Sequence, residues 1–590
     1  MKRIVKNPEI FLHIILFIVL FFISSYKIFE KPGLWFGDEF GYSGTAAWLG
    51  GMDWSNQIKN LSYYGVGYGI LLVPAYRFCS SAKQIMQYIG CLNIFLFLLS
   101  FELVIRFCKI IFMEENKFFL YVISFLIMLY PNNIVQLQMS WTETLNLAIY
   151  WININVLINL FLKNTTISYI FLALIQCYSL MVHMRNIGFV AATMLVVFLH
   201  WILLKKLNIK KILIFLLFMI LGLFTFWISK KYIQSVLWNN SLIVQNNDVS
   251  GIVFSIQKSF QLKGAVINFV KSIICKYFYI VASSYCLVIF GIIYAFKMIV
   301  NKSVEMEKRL ITLYSILSFL FCFFLCSYSM MWPSRVDAVI YGRYFETSIG
   351  ALLVFAFYGL SKDYKISSIT KKACIILFGM FIGALVAQSL INNLGNALNI
   401  YVCIAGLGNL FFKGYNIREI IIYICLICTF YFSIAISCVL ISLKCKRLKY
   451  VSIICFGCII SFFWLKTAKE DLDRMVAQQN QRYDNITPIS ETILENKYTF
   501  KSNKNIYYFQ EMDEEWNEYL LGLQLMIGKN TLLNVNYDNW DSILETQPYF
   551  IVTANGYNTN DITLIDDFQN NYIPVSATEE FILYKHSEMY

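Results

Sequence analysis

Two adjacent carboxylates, Asp38 and Glu39, follow the first apolar segment of the chain. They lie in a stretch rich in glycine and aromatic residues, between Trp35 and Tyr42. Neighbouring acids raise each other's pKa, and this suits a carboxylate that takes a proton from a hydroxyl group. Aromatic rings beside the acids offer flat faces for a sugar ring. A solvated acidic turn at a helix end would have the same sequence, so the pair alone leaves both interpretations open.

Two further charged residues interrupt stretches that are otherwise uncharged. Glu143 is a lone acid at the start of an apolar run, and Arg185 lies in the turn 183–186 between two apolar runs. Each has a simpler explanation. A carboxylate at a helix N-terminus gains from the helix dipole, and an arginine at a membrane surface extends its stem along the apolar region.

The segment 335–346 carries a denser set of charges. Arg335, Asp337 and Arg343 lie in it, and Tyr344 follows the second arginine. Arginine presents a planar fork of N–H donors that matches a phosphate group. Ion pairs from these arginines to Asp337 or Glu346 would account for the same residues without any ligand.

The composition shows which kind of element positions these residues. Of the 590 residues, 58% are hydrophobic and 14% are charged, whereas about one quarter is charged in soluble domains. Apolar runs of about 17–25 residues, long enough to cross a bilayer, recur along most of the chain. The sequence therefore predicts a polytopic α-helical membrane protein with about thirteen transmembrane helices.

The net charge of +12 does not indicate nucleic-acid binding, because the lysines and arginines cluster in short loops. Short basic loops face the cytoplasm in membrane proteins. No small-residue cleavage site follows the first apolar run, 10–26, so we interpret it as a retained helix with a cytoplasmic N-terminus. On this count the basic clusters share the cytoplasmic side; they are Lys205, Lys206, Lys210 and Lys211, Lys308 and Arg309, Lys371 and Lys372, and Lys444, Lys446, Arg447 and Lys449.

The same count assigns each segment to a side of a cell (plasma) membrane. The predicted spans are about 10–28, 85–110, 118–130, 141–162, 167–183, 187–204, 212–229, 278–300, 310–330, 346–360, 373–391, 419–443 and 450–465. The segment 396–412 is interpreted as re-entrant or interfacial, because a span there would move the basic cluster 444–449 outside. The predicted extracytoplasmic segments are 29–84, 131–140, 230–277, 331–345 and the tail from Lys466.

The tail, 466–590, has a different character from the transmembrane part, 1–465. It contains no cysteine, so it has no disulfide framework. Strand patterns at 506–509, 531–535, 549–553 and 581–584 alternate with helical patterns at 512–528 and 540–545. Such alternation predicts a small extracytoplasmic α/β domain with a largely parallel sheet.

The charged and aromatic residues together predict one kind of chemistry at the outer membrane face. A lipid-linked sugar phosphate presents its phosphate at that height. A carboxylate would take the proton of an acceptor hydroxyl, and the hydroxyl would attack the anomeric carbon as the lipid phosphate leaves. Arg343 or Arg335 would stabilise the departing negative charge. A single displacement of this kind inverts the anomeric centre.

These residues resemble the signature of GT-C fold membrane glycosyltransferases, and most of all the branch of protein O-mannosyltransferases and aminoarabinose transferases (family 39/83 type). That branch carries an Asp-Glu pair in the first outer loop, here Asp38-Glu39, followed by a glycine-rich step before a proline, here 64–74 with Tyr64. Thr142-Glu143, Arg185 and Arg343-Tyr344 match further short motifs in order and sidedness. The resemblance covers the first two hundred residues and the segment 335–346.

The resemblance implies a transferase that moves a hexosyl or pentosyl group from a polyprenyl-phosphate donor to an acceptor glycan, protein or lipid. Asp38 would be the base, and Glu39 would orient Asp38 or the acceptor. The other members of the implied site would bind substrate; they are Tyr64, Glu143, Arg185, Arg335, Asp337, Arg343 and Tyr344. Some relatives bind a divalent metal near these acids, so a metal stays open, with Asp38 and Glu39 as candidate ligands. The abundance of Asn, Ile, Lys and Tyr is typical of AT-rich bacterial genomes and favours a bacterial cell envelope.

Three other functions compete with this interpretation. A transporter or flippase predicts charges in the middle of spans and repeated halves, and the sequence shows no clear repeat. A polysaccharide polymerase or ligase predicts paired arginines in a large outer loop, whereas 230–277 has lysines and no arginine. A non-enzymatic envelope scaffold would use the tail as a binding module.

Overall fold

The structure is a computed structural model. It describes residues 8–59, 61–113, 115–204, 208–238, 262–362, 366–395, 400–408, 449–496, 505–510, 518–536, 540–555 and 566–587, and five isolated positions between 426 and 437. The first helices are α1 (Pro8–Ser24), α2 (Gly37–Leu49), α3 (Ser55–Ile58), α4 (Val66–Phe78), α5 (Ala82–Ile111), α6 (Lys117–Met128), α7 (Pro131–Val135), α8 (Glu143–Lys163), α9 (Thr166–Val182), α10 (Ile187–Leu203) and α11 (Ile209–Leu237). The following helices are α12 (Ala265–Ser283), α13 (Leu287–Val300), α14 (Met306–Ser329), α15 (Val336–Val339), α16 (Gly350–Lys362), α17 (Ile366–Asn392), α18 (Lys449–Asp484) and α19 (Thr487–Glu495).

Polar residues at the ends of the apolar runs set the bounds of several helices. The Ser81 hydroxyl accepts a hydrogen bond from Gln84 N at 3.3 Å and starts α5. Asn116 Oδ1 accepts from Phe118 N at 2.8 Å and starts α6. Asn164 takes a left-handed conformation with φ of 48° and ends α8. Such caps supply partners for the backbone groups that a helix end leaves unpaired.

Seven of the described helices are long and apolar enough to cross a membrane, and eight if the bent pair α6 and α7 forms one span. Shorter apolar helices accompany them, and the predicted span 419–443 lies largely outside the described residues. The structure thus shows a multispan helical protein, while the number of thirteen transmembrane helices stays a prediction.

The predicted span 278–300 is wrong as one helix. The chain forms α12 and α13 there, and the break lies at 284–286. Tyr285 and Cys286 have φ of 49° and 66°, a left-handed conformation that no α-helix continues through. α12 begins at Ala265 inside the segment 230–277, which was expected as a loop.

The chain bends by 65° between Lys117–Met128 and Pro131–Gln138. Pro131 stands at the first position of α7, where a missing N–H leaves no helical hydrogen bond unmade. The chain then turns back through a short 3₁₀ helix, Gln136–Gln138, into α8. This bend places the N-terminus of α8, and with it Glu143, next to the first outer segment.

The first outer segment, 29–84, is helical over much of its length. It contains α2, α3 and α4, although it was expected as a loop. Tyr42, Trp54 and Tyr68 of this segment are almost completely buried. The segment is therefore a packed layer over the ends of the spans, and it holds α2 in a fixed place.

The C-terminal part contains five strands, β1 (Asn505–Gln510), β2 (Thr531–Asn536), β3 (Phe550–Ala554), β4 (Tyr572–Ala577) and β5 (Phe581–His586). They form one sheet in the order β2-β1-β3-β5-β4. β1 is parallel to β2 and β3, and β5 is antiparallel to β3 and β4. The α/β character was predicted, but β4 was not. The sheet is mixed rather than largely parallel, because β5 is antiparallel to both of its neighbours. The helices among the strands are α20 (Glu518–Ile527), α21 (Trp540–Leu544) and α22 (Asp566–Asn571). The predicted acidic start of the helix 512–528 lies outside the described residues.

α18 carries the sheet domain to the first outer segment. It continues to Asp484, past the predicted end of the transmembrane part at 465. The Arg482 guanidinium donates to Trp35 O at 3.0 Å and pairs with Glu518. The Tyr483 hydroxyl donates to Leu34 O at 2.9 Å. The sheet domain is therefore fastened to the residues that lead into α2.

Candidate functional site

Four parts of the chain, one of them in the first outer segment, each contribute a charged side chain to the same place. Asp38 lies on the first turn of α2, and Glu143 is the first residue of α8. Arg185 lies in the 3₁₀ turn between α9 and α10, and Arg343 lies between α15 and α16. We call these four residues the charged cluster. The fold brings together side chains that are up to 305 positions apart in the sequence.

Arg343 is the centre of the charged cluster. Its Nη1 donates to Asp38 Oδ2 at 2.8 Å, and its Nε donates to Glu143 Oε1 at 2.5 Å. The guanidinium lies 3.5 Å from the ring centre of Trp141 and is 3% exposed. Burial lowers the pKa of Arg343, but Glu143 and neighbouring groups outweigh burial and hold it well above its usual range. Arg343 is therefore a fixed positive charge with N–H groups beyond the two that these contacts use.

Arg185 joins the charged cluster from the other side of Glu143. Its Nη2 donates to Glu143 Oε1 at 2.6 Å, so one carboxylate oxygen accepts from both arginines. The second oxygen, Oε2, and Arg185 Nη1 are buried with no hydrogen-bond partner. Buried polar groups are nearly always paired in folded proteins. The charged cluster therefore keeps one donor and one acceptor that a ligand can satisfy.

Asp38 is the most accessible member of the charged cluster. Its side chain is 32% exposed, against 1% for Glu143. Oδ1 accepts from the Tyr64 hydroxyl. Burial raises the pKa of Tyr64 well above its usual range, and the Asp38 charge adds to this, so the hydroxyl stays protonated and donates. An ionised carboxylate has about four lone-pair positions, which leaves Asp38 room for a further donor.

Aromatic rings form the walls of the charged cluster. The Arg185 guanidinium lies 4.6 Å from the ring centre of Tyr344. His183 lies between Tyr64 and Tyr344, with ring centres 6.0 and 6.1 Å away. Burial lowers the pKa of His183 well below its usual range, and Arg185 and Arg343 add to this, so the imidazole is neutral. Flat rings beside fixed positive charges suit an anionic ligand that carries a ring of its own.

Glu39 points away from the charged cluster. Its Oε1 accepts from Lys31 Nζ and from Ser140 N, both at 2.7 Å. Its Oε2 accepts from Trp35 N at 2.8 Å and from Phe36 N at 3.1 Å. The side chain is completely buried, and Lys31 is equally hidden. Glu39 thus ties the first outer segment to the start of α8, and its oxygens have no position left for a substrate.

Arg335 and Asp337 form a separate pair. Arg335 Nη2 donates to Asp337 Oδ2 at 3.1 Å, and Asp337 Oδ1 accepts from Ile400 N at 3.2 Å. Burial raises the pKa of Asp337, and Arg335 opposes this only in part. Of the two interpretations open for these residues, the ion pair within the protein describes the contacts of Arg335 and Asp337.

The backbone around Arg343 is held from two sides. Gly342 N and Arg343 N both donate to Cys403 O at 3.1 Å. A Cβ atom at Gly342 would lie 2.1 Å from the Tyr279 ring, so only glycine fits there. Cys403 belongs to the segment that the sequence interpreted as re-entrant or interfacial. Its described part, 400–408, forms a buried 3₁₀ turn, and the rest of 396–412 lies outside the described residues.

Glu346 is a buried acid three residues after Arg343, and it accepts hydrogen bonds from two tyrosines. Its Oε1 accepts from the Tyr130 hydroxyl at 2.5 Å and the Tyr279 hydroxyl at 2.7 Å, while Oε2 is buried without a partner. Burial raises the pKa of Glu346 to about 7, and the two phenols oppose this in part. The expected ion pair between an arginine and Glu346 is not among the contacts of the described residues.

The candidate metal ligands do not fit a divalent metal. Glu39 has four donors already, and Arg343 stands between Asp38 and Glu143. In the described ranges, no group of three or more His, Cys, Asp or Glu residues is arranged to hold a metal ion.

Lys31, Trp141 and His183 were not predicted as members of the site. Lys31 follows the first span and looks like an ordinary flanking cation. Trp141 stands two positions before Glu143, and His183 two positions before Arg185. Their closeness to the two predicted charges was the signal in the sequence, but aromatic residues are so common in this chain that the signal was weak.

No protein-family model matches the chain, and no curated protein matches it. Among solved structures, the chain is similar to ArnT from Cupriavidus metallidurans bound to undecaprenyl phosphate, with 11% identity over 98% of both chains and a TM-score of 0.51. The apo state of the same protein gives 10% identity over 97% of both chains and a TM-score of 0.50. An Archaeoglobus fulgidus oligosaccharyltransferase tethered with an acceptor peptide gives 10% identity, 98% of this chain, 74% of that chain and a TM-score of 0.42. The chain therefore has the GT-C fold of ArnT and is a multi-pass membrane protein. Its own C-terminal part adds a small sheet domain.

Proposed function

We propose that this chain is a glycosyltransferase that moves a sugar from a polyprenyl-phosphate donor to an acceptor hydroxyl at the outer membrane face. The observation that carries the proposal is the charged cluster, in which the accessible carboxylate of Asp38 contacts the buried guanidinium of Arg343. A carboxylate that can act as a base and a guanidinium that can bind phosphate are thereby held side by side. ArnT, whose fold the chain shares, is described with undecaprenyl phosphate bound.

Asp38 takes the proton of the acceptor hydroxyl in the proposed reaction. Its contacts with Tyr64 and Arg343 fix the direction of its lone pairs, and its exposure gives the acceptor access. The hydroxyl oxygen forms a bond to the anomeric carbon while the bond to the phosphate oxygen breaks. The proton goes to Asp38, the electron pair goes to the lipid phosphate, and the anomeric centre is inverted. General bases of this kind contribute about 10²–10⁴ in rate.

Arg343 and Arg185 hold the phosphate and stabilise the charge that develops as it leaves. Arg343 has N–H groups beyond those given to Asp38 and Glu143, and Arg185 Nη1 has no protein acceptor in the described structure. Glu143 aligns both guanidinium groups, which removes the need to reorganise them during the reaction. Tyr64 and Tyr344 are partly exposed rings beside the charged cluster, against which a sugar ring would pack.

The outer position of the charged cluster follows from the distribution of basic residues. Arg343, which contacts two other members of the cluster, lies after the end of α14 and before the start of α16. Lys308 and Arg309 stand at the opposite end of α14, and Lys362 stands at the opposite end of α16. Because basic loop ends face the cytoplasm, the charged cluster faces outward.

Labelling of single cysteines tests this orientation. A cysteine at Lys529 in the sheet domain is expected to react with a membrane-impermeant maleimide on intact cells. A cysteine at Lys308 is expected to react only after the membrane is opened. The reverse pattern would contradict an outer site and with it the use of an outer-face donor.

Release of label from donors tests the reaction. Protein in nanodiscs is offered radiolabelled polyprenyl-phosphate sugars, and wild type is compared with Asp38→Asn. Asp53→Asn is the matched control, since Asp53 is an exposed acid of the same outer segment and its carboxylate accepts from Ser55 N. Release by wild type and by Asp53→Asn, with loss in a folded Asp38→Asn, supports the proposal. Binding of lipid-linked glycans without release from any donor would favour a transporter instead.

A further inference from the structure

A second basic site lies on the same side of the molecule as the charged cluster. A cavity of about 250 Å³ opens between the first half of α12, the end of α14 and the end of α17. Its polar wall contains Asn268, Lys271, Lys276 and Asn393, and its apolar wall includes Met331 and Trp332. We call it the lysine cavity. Trp332 is 47% exposed, so the cavity is open at the surface.

Lys276 is a buried lysine whose Nζ contacts no carboxylate among the described residues. Its Nζ donates to Ser272 Oγ and Ala338 O at 2.9 Å and to Val339 O at 3.2 Å. All three acceptors are neutral, and the side chain is completely buried. Neutral acceptors satisfy the N–H groups but leave the positive charge without a counter-ion. A buried charge in this state is costly unless an anion comes close.

No carboxylate of the described residues forms an ion pair with Lys271 or Lys276 of the lysine cavity. Asp337 is the acid next to the Lys276 contacts in sequence, and it is already paired with Arg335 at 3.1 Å. Lys271 is exposed on the cavity wall, and among the described ranges it has no ion-pair partner. The cavity wall therefore holds two lysines that have no ion-pair partner in the described part of the chain.

The walls restrict the kind of anion that fits. Lysine ammonium groups bind phosphate oxygens as point charges, and the amides of Asn268 and Asn393 add neutral donors. The opposite wall of Met331 and Trp332 is apolar and lies at the ends of membrane helices. A phosphate that is joined to an apolar stem matches both walls.

We infer that the lysine cavity is a second anion-binding site that takes the phosphate headgroup of an amphiphile in the outer leaflet. It is separate from the charged cluster, because none of the four residues of the cluster lines the lysine cavity. The placement in the outer leaflet rests on the proposed function. The binding itself does not, since it involves no transfer step.

Photo-crosslinking inside the lysine cavity tests the inference. Benzoylphenylalanine replaces Trp332, and the protein in phosphatidylcholine nanodiscs is titrated with radiolabelled short-chain phosphatidic acid and, separately, with the diacylglycerol of the same chains. Phosphatidic acid is expected to crosslink at a concentration at least about tenfold lower, because a hydrogen bond to a charged group contributes that much. Equal crosslinking of the two lipids would show that only the apolar wall binds and would overturn the inference. Inorganic phosphate that competes at the same concentration as phosphatidic acid would reject the lipid stem.

Charge variants locate the site. Lys271→Glu acts on an exposed residue, and Lys276→Met keeps the aliphatic stem of a buried one; each is expected to raise the half-saturating concentration about tenfold or more. Lys263→Glu is the matched control, since Lys263 is exposed nearby but does not line the cavity. Equal shifts in Lys271→Glu and Lys263→Glu would reduce the effect to general surface attraction and contradict the inference.

One further comparison separates this inference from the proposed function. Asp38→Asn is expected to crosslink like the parent, because Asp38 lies outside the lysine cavity. Crosslinking that is lost in Arg343→Lys but kept in Lys271→Glu would place the lipid in the charged cluster and overturn a second site. Crosslinking that persists when wild type releases no donor label would overturn the transferase and leave this site standing.

Discussion

Asp38 and Glu39 are adjacent on the first turn of α2 and lie in opposite kinds of environment. Asp38 faces the charged cluster, is 32% exposed and accepts from two side chains. Glu39 faces the interior of the outer segment, is fully buried and accepts from four groups. Successive helical residues point about 100° apart. This rotation alone directs Asp38 to the candidate ligand site and Glu39 to contacts that hold the outer segment together.

The difference shows how the protein divides unsatisfied polar atoms. A buried ion pair is stable only if its remaining hydrogen-bonding positions are filled, and the Glu39 side meets that condition with Lys31 and three backbone N–H groups. On the Asp38 side, Glu143 Oε2 and Arg185 Nη1 are left without partners. Unpaired groups that persist beside an accessible carboxylate are the expected feature of a site that completes itself with a ligand.

The largest expected effect is on the Asp38 side. Asp38→Asn keeps the shape of the side chain and its contact with Tyr64 but removes the proton acceptor. We expect release of donor label to fall about 10²–10⁴-fold, with a change in melting temperature of only a few degrees. Label release and thermal unfolding of the same nanodisc preparation check both parts. A normal rate in the variant would remove Asp38 from the reaction.

The opposite pattern is expected on the Glu39 side. Glu39→Gln leaves the buried Lys31 charge against a neutral amide, and losing one partner of a buried ion pair costs about 3–5 kcal/mol. Thermal unfolding should show the loss at once, and the folded fraction should still release label. The double variant Lys31→Met/Glu39→Gln should recover much of the stability, since an apolar replacement removes the uncompensated charge. A stable Glu39→Gln protein without activity would break the comparison, because Glu39 would then belong to the chemistry.

The sequence could predict the charged cluster only as far as sidedness. Glu143, Arg185 and Arg343 each stand at an end of an apolar run, so positive-inside counting was enough to place them with Asp38. The residue pattern by itself could not separate Asp38 from Glu39, because that depends on the rotation of one helical turn, and only the resemblance named Asp38 as the base. It also could not assign Arg335 and Arg343 to different partners, since both arginines lie in one short segment and only the fold decides which carboxylate each meets.

The helices were predictable where apolar runs end at polar caps, as at Ser81 and Asn164. They were less predictable where the apolar run continues through a break. The left-handed residues Tyr285 and Cys286 interrupt such a run without a proline or glycine to mark the place. The end of α18 at Asp484 was missed for the opposite reason, because the helix goes on after its sequence turns polar.

A smaller effect distinguishes the two arginines. Arg343→Lys can reach one carboxylate but not both, because lysine has a single point charge in place of the guanidinium fork. Loss of one such donor typically lowers turnover about 10²–10³-fold, and label release measures it. Arg335→Lys is the matched control and is expected to change turnover less than about tenfold, since Arg335 contacts Asp337 rather than the charged cluster. Equal losses would mean that both arginines bind the donor.

The smallest expected effect concerns Glu346, whose folded pKa of about 7 lies above its ordinary value of 4.5. A raised pKa means that the folded protein binds a proton which the unfolded chain gives up. The stabilisation is fully present below about pH 4.5 and is lost as the pH rises through about 7. Glu346→Gln mimics the protonated acid and keeps an acceptor for Tyr130 and Tyr279, so it should gain on wild type as the pH rises. Between pH 5 and pH 8 the gain in unfolding free energy should be about 2–3 kcal/mol, measured by denaturation at both values.

The control for Glu346 is an acid that is neither buried nor bonded to tyrosine hydroxyls. Asp53→Asn alters an exposed carboxylate and should follow wild type at both pH values. If Glu346→Gln also follows wild type, the carboxylate is not held in its neutral form, and the turn that carries Arg343 rests on a charged group. The gain at high pH, in contrast, would show that the protein keeps one acid neutral three positions from an arginine that stays charged. Charge would then be confined to the side of the turn on which a phosphate is proposed to bind.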